Sequence, residues 1–280
     1  SSNWALQLSR RLINAQKAGH TGTLDPFATG LLPLAFGNAT KYSADLLHAD
    51  KRYEAVLRFG ARTDTMDKTG EVTETSDMRP TRQALEALLP EFTGQIEQVP
   101  PMYSAIKRDG KNLYDLARRG IEVERHPRKV HVHHLELMEF DSETAKIDVR
   151  VSKGTYIRVL AEEIGAALGV PATLSALRRT QAGVFSLEQC HTLPEILAAA
   201  ECGELAANDW VLPIETVFAP LPALHVNEGV KAHLLNGCPT SHYKAADGRY
   251  RVYEESGAFL GLAGVEEGVL KVEKLFCERD

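Results

Sequence analysis

Three stretches of this chain alternate apolar and polar residues with a period of two, and that pattern narrows the folds open to it more than any other feature. In residues 51–59, Tyr53, Ala55, Leu57 and Phe59 alternate with Arg52, Glu54 and Arg58, and residues 130–140 and 145–151 alternate likewise. Successive side chains of a strand point to opposite faces, so each stretch predicts a half-buried strand with antiparallel neighbours. Helical periodicity occupies 81–89, 112–119 and 156–168, the last behind the cap residue Thr155. Strands and helices mix without regular β-α-β alternation. This predicts an α+β fold, a mixed and mostly antiparallel sheet flanked by helices, and argues against a doubly wound sheet.

At the N-terminus, Ser1 and Ser2 are placed to cap a helix whose apolar positions Trp4, Leu8 and Leu12 recur every four residues, with Gly19 as its stop. Residues 31–36 read as a short buried strand and 38–48 as a helix. Between 213 and 222 the prolines Pro213, Pro220 and Pro222 mark a linker, and short glycine-punctuated strands follow at 249–253, 259–263 and 269–272. The expected organisation is a domain over 1–212 and a small β domain over 213–280.

With 280 residues, 44% of them hydrophobic, the chain can bury a substantial core. Its apolar runs, such as 31–36, fall far short of the ~18 residues of a membrane span, and no basic-then-apolar leader opens it. A soluble, cytoplasmic protein is expected. The cysteines Cys190, Cys202, Cys238 and Cys277 form no C-x-x-C pair, which fits a reducing compartment. His126, His131, His133 and His134 cluster, but they lack a carboxylate or cysteine at ligand spacing, so solvated strand histidines are expected rather than a metal site.

The net charge of −6 speaks at first for an enzyme of small molecules rather than a nucleic-acid binder. The charge is unevenly spread, however. Residues 1–180 carry 25 basic and 23 acidic side chains, whereas 181–280 carry 7 and 15. Within 103–134 stand Lys107, Arg108, Lys111, Arg118, Arg119, Arg125, Arg128 and Lys129 against four acids, interleaved with Tyr103 and Tyr114. Such a segment suits either a phosphate backbone with bases to stack upon or a solvated surface helix.

Residues 19–30 set three glycines and a proline around one acid, Asp25. That punctuation holds Asp25 on a rigid loop, and the following proline biases it away from helix, as in a displayed functional group or an ordinary Asp-Pro turn.

The run G-H-T-G-T-L-D-P-F-A-T-G-L-L over 19–32 resembles the catalytic motif of the TruB family of pseudouridine synthases, which convert the T-loop uridine at tRNA position 55 to pseudouridine. Agreement continues in order through Lys51-Arg52-Tyr53-Glu54, Arg62-Thr63-Asp64-Thr65, Pro100-Pro101-Met102-Tyr103-Ser104-Ala105-Ile106-Lys107, Gly120-Ile121-Glu122, Ser152-Lys153-Gly154-Thr155-Tyr156-Ile157-Arg158 and Leu177-Arg178-Arg179. The resemblance covers most of 1–212. Residues 220–276, with Gly237, Arg251-Val252-Tyr253 and Phe259-Leu260-Gly261-Leu262-Ala263, more weakly resemble a PUA-type RNA-binding domain. In the family pattern a strand with a Lys-Pro pair precedes the Ser-Ser that stands here as Ser1-Ser2.

The resemblance implies a pseudouridine synthase fold and a catalytic set of Asp25, Tyr53 and Arg158. Asp25 is the expected nucleophile, adding to C6 of uracil or to C1′ of ribose, with no cofactor and no metal. Arg158 is its expected guanidinium companion. Tyr53 is expected to stack on the flipped base and to assist removal of the C5 proton. Expected RNA contacts are His20, the Thr21-Gly22-Thr23 turn, Lys41, Tyr103, Lys107, Lys111, Arg119, Tyr156 and Arg178, with a thumb-like insertion at about 97–123. Asp64 is expected as a support near the cleft or a loop cap. The partner is tRNA, gripped at the T-loop and the acceptor/T-stem, and the protein is expected to be a monomer. Three other readings share these residues: a tRNA-folding protein in which catalysis is secondary, an RNA-guided synthase subunit, and a glycoside hydrolase built on Asp25 and Asp64.

Overall fold

The computed structural model describes residues 1–108, 110–206 and 210–276. The chain divides into two compact units, and neither is contiguous. The first gathers Ser1–Ala5, His20–Pro33 and Ala44–Cys190; the second takes Leu6–Gly19, Leu34–Ser43 and the chain from His191 onward. The stretch after Cys190 thus groups with later residues and with two short pieces from near the N-terminus.

A seven-stranded sheet forms the first unit. Its order is Phe185–Ser186, Ala172–Ala182, Lys51–Phe59, Thr144–Val151, Arg128–Phe140 and Gly94–Gln98, with Thr29–Gly30 adding parallel to Ala172–Ala182 and all other pairs antiparallel. The alternating residues of the sequence produce one buried face: Ala55, Leu57, Phe59, Ala145, Ile147, Val149 and Val151 form a core with Leu160 and Ile164 of the helix Ile157–Ala167. Each Leu, Ile, Val or Phe side chain so removed from water contributes about 1.5–3 kcal/mol. The helix lies so close to the sheet that a Cβ on Gly165 would stand 2.4 Å from the Cβ of Ala172, which only glycine avoids.

Local chemistry shifts several expected boundaries. The helix behind Thr155 begins at Ile157 with Tyr156 in the cap position, because the Thr155 hydroxyl donates to Ser152 O (2.9 Å) instead of accepting from the helix. The helix expected over 112–119 is the short Leu113–Ala117, and that over 81–89 is Arg82–Leu88, where Thr81 accepts from Ala84 N as a true N-cap. Ala172–Ala182 shows no clean period because register shifts at 174/176 and 179/181 break its alternation. The N-terminal helix Ser2–Leu12 buries Ser2, Leu6 and Ser9, not Trp4, which is 54% exposed. It stops well before Gly19, at Asn14 (φ 52°), where the Arg10 guanidinium takes the carbonyls of Ala15 and Gln16.

In the second unit, Ala223–Val226, Gly248–Glu254, Phe259–Glu266 and Val269–Leu275 form a four-stranded sheet whose first pair is parallel. Leu224, Val226, Leu234, Val252, Leu260, Val265 and Leu270 make its core, and Tyr42, Phe218 and Leu262 a second cluster. Of the expected strand over 31–36 only Leu34–Phe36 forms, and 38–48 resolves into a 3-10 turn, Gly37–Tyr42, then the helix Ser43–His48.

His131 and His133 stand exposed on Arg128–Phe140 with rings 4.6 Å apart; His133 faces Asp50 at 3.2 Å and His134 faces Glu136 at 3.4 Å. Among the described residues no three His, Cys, Asp or Glu side chains gather to hold a metal, and no helix is long and apolar enough to cross a membrane. Cys190, Cys202 and Cys238 are free and exposed, and Cys277 lies outside the described residues.

Candidate active site

The loop carrying Asp25 is tied down along its length. The buried Ser2 hydroxyl accepts from Leu24 N (2.9 Å), Ala28 N donates back to Asp25 O (2.9 Å), and Leu31 N donates to Arg179 O (2.9 Å). Gly30, at φ 95°, runs so close to the next strand that a Cβ would stand 2.2 Å from Arg179 O. A side chain held by these bonds has few orientations left.

Asp25 points at Arg158 of the helix Ile157–Ala167. Arg158 is 4% exposed; its Nε lies 2.9 Å from Asp25 Oδ2, and its Nη2 donates to Oδ1 at 3.3 Å. The remaining donors go to Thr65 O (3.0 Å) and Tyr103 O (2.8 Å), and Nη1 lies 3.6 Å from Asp67 Oδ2. One guanidinium thus joins the Asp25 loop, the 64–70 turn and the root of the basic insertion. Burial pushes the Asp25 carboxyl above its ordinary value, Arg158 pulls it back, and the Asp67 charge pushes it up again.

Tyr53 lies partly buried on the core, directly across from Arg179 on the adjacent strand. Burial raises its hydroxyl pKa and Arg179 opposes that rise. Tyr156 is held by Gln98, which accepts from Tyr156 N (3.0 Å) and donates to its carbonyl (3.3 Å); burial raises its hydroxyl too, against Ser104 and Arg158. The His20 ring has its Nδ1 buried without a hydrogen-bond partner, and burial, then Arg179, hold its pKa below the ordinary histidine value.

The expected catalytic residues Asp25, Tyr53 and Arg158 thus gather in one place with His20, Tyr103 and Tyr156. At the Thr21-Gly22-Thr23 turn, Thr21 is buried, the Gly22 carbonyl is taken by Arg179, and Thr23 is exposed. Lys107 and Lys111 are exposed on the hairpin Lys107–Arg108 and Lys111–Asn112, and Arg119 is exposed just after Leu113–Ala117. Arg178 is exposed on the strand face opposite buried Arg179, and Lys41 is an exposed residue of the second unit.

Asp64 departs from the glycosidase pairing: its Oδ1 accepts from Glu71 N (2.8 Å), its Oδ2 lies 3.4 Å from the Tyr103 hydroxyl, and the carboxylate that reaches Arg158 is Asp67. Asp67, 4% exposed and held through Oδ1 by Thr65 Oγ1 and Thr69 N (both 2.9 Å), was given no role of its own from sequence. Three further residues at or beside the site escaped that reading: Ser2, Arg179 and Lys51. The Lys51 ammonium donates to Leu46 O, Leu47 O and Ala49 O, and burial, then Arg179, lower its pKa to about 8.

Comparison with known proteins decides the family. Residues 10–157 match the model of the TruB family pseudouridylate synthase N-terminal domain, which is more than half of the chain. The chain belongs to the TruB family. Residues 158–219 and 222–276 match two C-terminal domain models of the same family. The tRNA pseudouridine synthase B of Thiobacillus denitrificans is 50% identical over 277 residues, 99% of this chain and 92% of that protein. Its counterpart in Pseudomonas fluorescens is 49% identical over 269 residues, covering 95% and 88%. Among solved structures, a chain of an H/ACA RNP bound to a substrate RNA containing 2′-deoxyuridine superposes with a TM-score of 0.73 at 25% identity, covering all of this chain and 82% of that one. The α+β architecture read from the alternating strands is the TruB family's own.

Proposed function

We propose that this TruB-family chain isomerises uridine to pseudouridine in tRNA, at position 55 of the T-loop, with Asp25 as nucleophile. The observation that carries the reading is the ion pair: a carboxylate on a rigid loop, aimed by a buried guanidinium that three other groups, Thr65 O, Tyr103 O and Asp67, hold in place. Asp25 bonds to C6 of the base or to C1′ of the ribose; the C1′–N1 bond breaks, the base turns and a C1′–C5 bond forms, then the bond to Asp25 breaks to return the carboxylate, C5 loses its proton and the freed N1 gains one. Atoms and electrons balance within the nucleotide, so no oxidant, reductant or cofactor is consumed. Tyr53 faces the base and serves the C5 side, and His20, with its pKa held down, fills space or contacts RNA rather than moving a proton.

A target inside a folded loop must be flipped out, at a cost of a few kcal/mol met by stacking and phosphate contacts. Tyr103, Lys107, Lys111, Arg119 and the hairpin at 107–112 supply these in our reading, with Tyr156, Arg178, Lys41 and the turn around Gly22 as further contacts. The sheet of Ala223–Val226 to Val269–Leu275 is assigned a PUA-like RNA-binding role, the residues before it the catalytic one. Relatives named for tRNA at close to half identity support direct action on tRNA over an RNA-guided assembly. We assign the protein to the cytoplasm, as a monomer.

The decisive assay is tritium release from tRNA labelled at uridine C5. The parent protein releases it and Asp25→Asn does not, while both bind tRNA alike; release undiminished in Asp25→Asn rules out the nucleophile. A tRNA-folding effect that Asp25→Asn retains along with its binding would favour the tRNA-folding reading, in which catalysis is secondary.

A further inference from the structure

Arg179 stands on Ala172–Ala182 directly across from Tyr53, and it is only 2% exposed. A guanidinium does not lose its proton in a protein, so a full charge is buried here. Among the described residues no carboxylate pairs with it. Its donors go to main-chain carbonyls, Nε to Leu31 O at 2.7 Å and Nη2 to Gly22 O at 3.1 Å. Those two carbonyls bracket Asp25, one on each side of it along the loop. The backbone of Arg179 adds to the closure, since its carbonyl accepts from Leu31 N at 2.9 Å.

A buried cation without a counter-ion costs stability, and an apolar side chain would fill the same space more cheaply. What only the guanidinium supplies is a two-carbonyl fork and a fixed field. The groups that feel this field are the Tyr53 hydroxyl, the His20 ring and the Lys51 ammonium. At 2% exposure Arg179 is out of reach of a tRNA phosphate, so its part in the reaction runs through its neighbours.

We infer that Arg179 is a positioning residue for the isomerisation: it clamps both flanks of the Asp25 loop and, directly across from Tyr53, backs the side chain that meets the target base. This rests on the reading of Asp25 and Tyr53 as the groups that meet the uridine. Its role differs from that of Arg158, which touches the nucleophile itself.

The test uses the full chain with Arg179→Gln and Arg179→Lys, each checked by thermal melting. Three quantities are measured: single-turnover tritium release at saturating tRNA, tRNA Kd, and the titration of His20 by imidazole NMR, assigned with His20→Gln. Arg179→Gln is expected to slow release by about tenfold or more while changing Kd less than about threefold, because aim rather than affinity is lost. With the charge gone, His20 should titrate at a higher pH. Arg179→Lys keeps the charge, so its His20 titration should stay with the parent's while release still slows for want of the fork; it carries the test if the glutamine variant does not fold. Release within about twofold of the parent in both variants, or a His20 titration unmoved in Arg179→Gln, overturns the inference. A parent protein that releases no tritium would overturn the functional reading instead, and the NMR titration separates the two failures.

Discussion

Two arginines are buried within the first unit, and they are held in opposite ways. Around Arg158 stand two carboxylates, Asp25 at 2.9 Å and Asp67 at 3.6 Å. Arg179, among the described residues, has no carboxylate partner: it donates to two main-chain carbonyls and lies across from the Tyr53 phenol. A paired buried charge depends on its partner, because removing one member leaves the other uncompensated. A cation held by backbone carbonyls has nothing to lose by titration or substrate binding, so it behaves as a fixed strut. The difference predicts that substitutions near Arg158 change the chemistry and its pH dependence, whereas uncompensated charges elsewhere change binding or stability.

The largest effect is expected at Asp25 itself. Asp25→Asn should cut turnover by at least about a thousandfold, since a nucleophile has no substitute in the site. It should not lower the melting temperature, because burial already makes the ionised carboxyl costly and Arg158 retains Asp67, Thr65 O and Tyr103 O. A melt well below the parent's would mean that Asp25 is a structural half of the pair.

Asp67→Asn comes next. It leaves Arg158 with one carboxylate and loosens its aim, so release at saturating tRNA should fall about 10- to 100-fold with Kd nearly unchanged. The pH profile carries the sign. Asp25 must be ionised to attack, and its pKa is raised, so the rate of the parent falls as pH drops through a value above the ordinary carboxylate one. Asp67 contributes to that rise, so the acid limb of Asp67→Asn should move to lower pH. An unmoved or higher limb would remove Asp67 from the electrostatics of the site.

This comparison also shows what the sequence could and could not disclose. The strands at 51–59 and 145–151 were legible because one face of each is wet and the period survives intact. The strand Ala172–Ala182 was not, since two register shifts scramble its period, and with it went the inward direction of Arg179. Asp25, Tyr53 and Arg158 stood out because their motifs are long. Asp67 did not, because what selects it over Asp64 is which of two nearby carboxylates turns towards a guanidinium 91 residues further on, a contact made only in three dimensions. Trp4 misled for the simplest reason: a four-residue spacing names a stripe on a helix but not whether that stripe faces the core.

Exposed cations give a smaller effect of a third kind. Lys107 and Lys111 are solvent-facing, so each alanine substitution should reduce the salt dependence of tRNA binding by about one unit of slope while leaving release at saturating tRNA unchanged. A changed rate with an unchanged slope would bring these lysines into the reacting centre and blur the distinction between grip and aim.

The smallest effect tests the uncompensated case with the opposite sign of charge. On Ile157–Ala167, five residues after Arg158, Glu163 has its pKa raised to about 7 by burial and then by neighbouring Glu162, whose own charge is taken by Arg62. Between the unfolded value of 4.5 and about 7 the folded state holds a proton that the unfolded state has released, so stability falls as pH rises through that window. Above it, the folded protein carries a half-buried carboxylate with no cation. Glu163→Gln should therefore stabilise the protein at pH 8 by about 1 kcal/mol, the shift being discounted for solvent screening, and by nothing below pH 4.5. Melting curves of parent and variant at the two pH values read this directly. Equal curves at pH 8 would mean that the carboxylate is solvated after all, and that an unpaired charge in this unit costs less than the contrast between Arg158 and Arg179 requires.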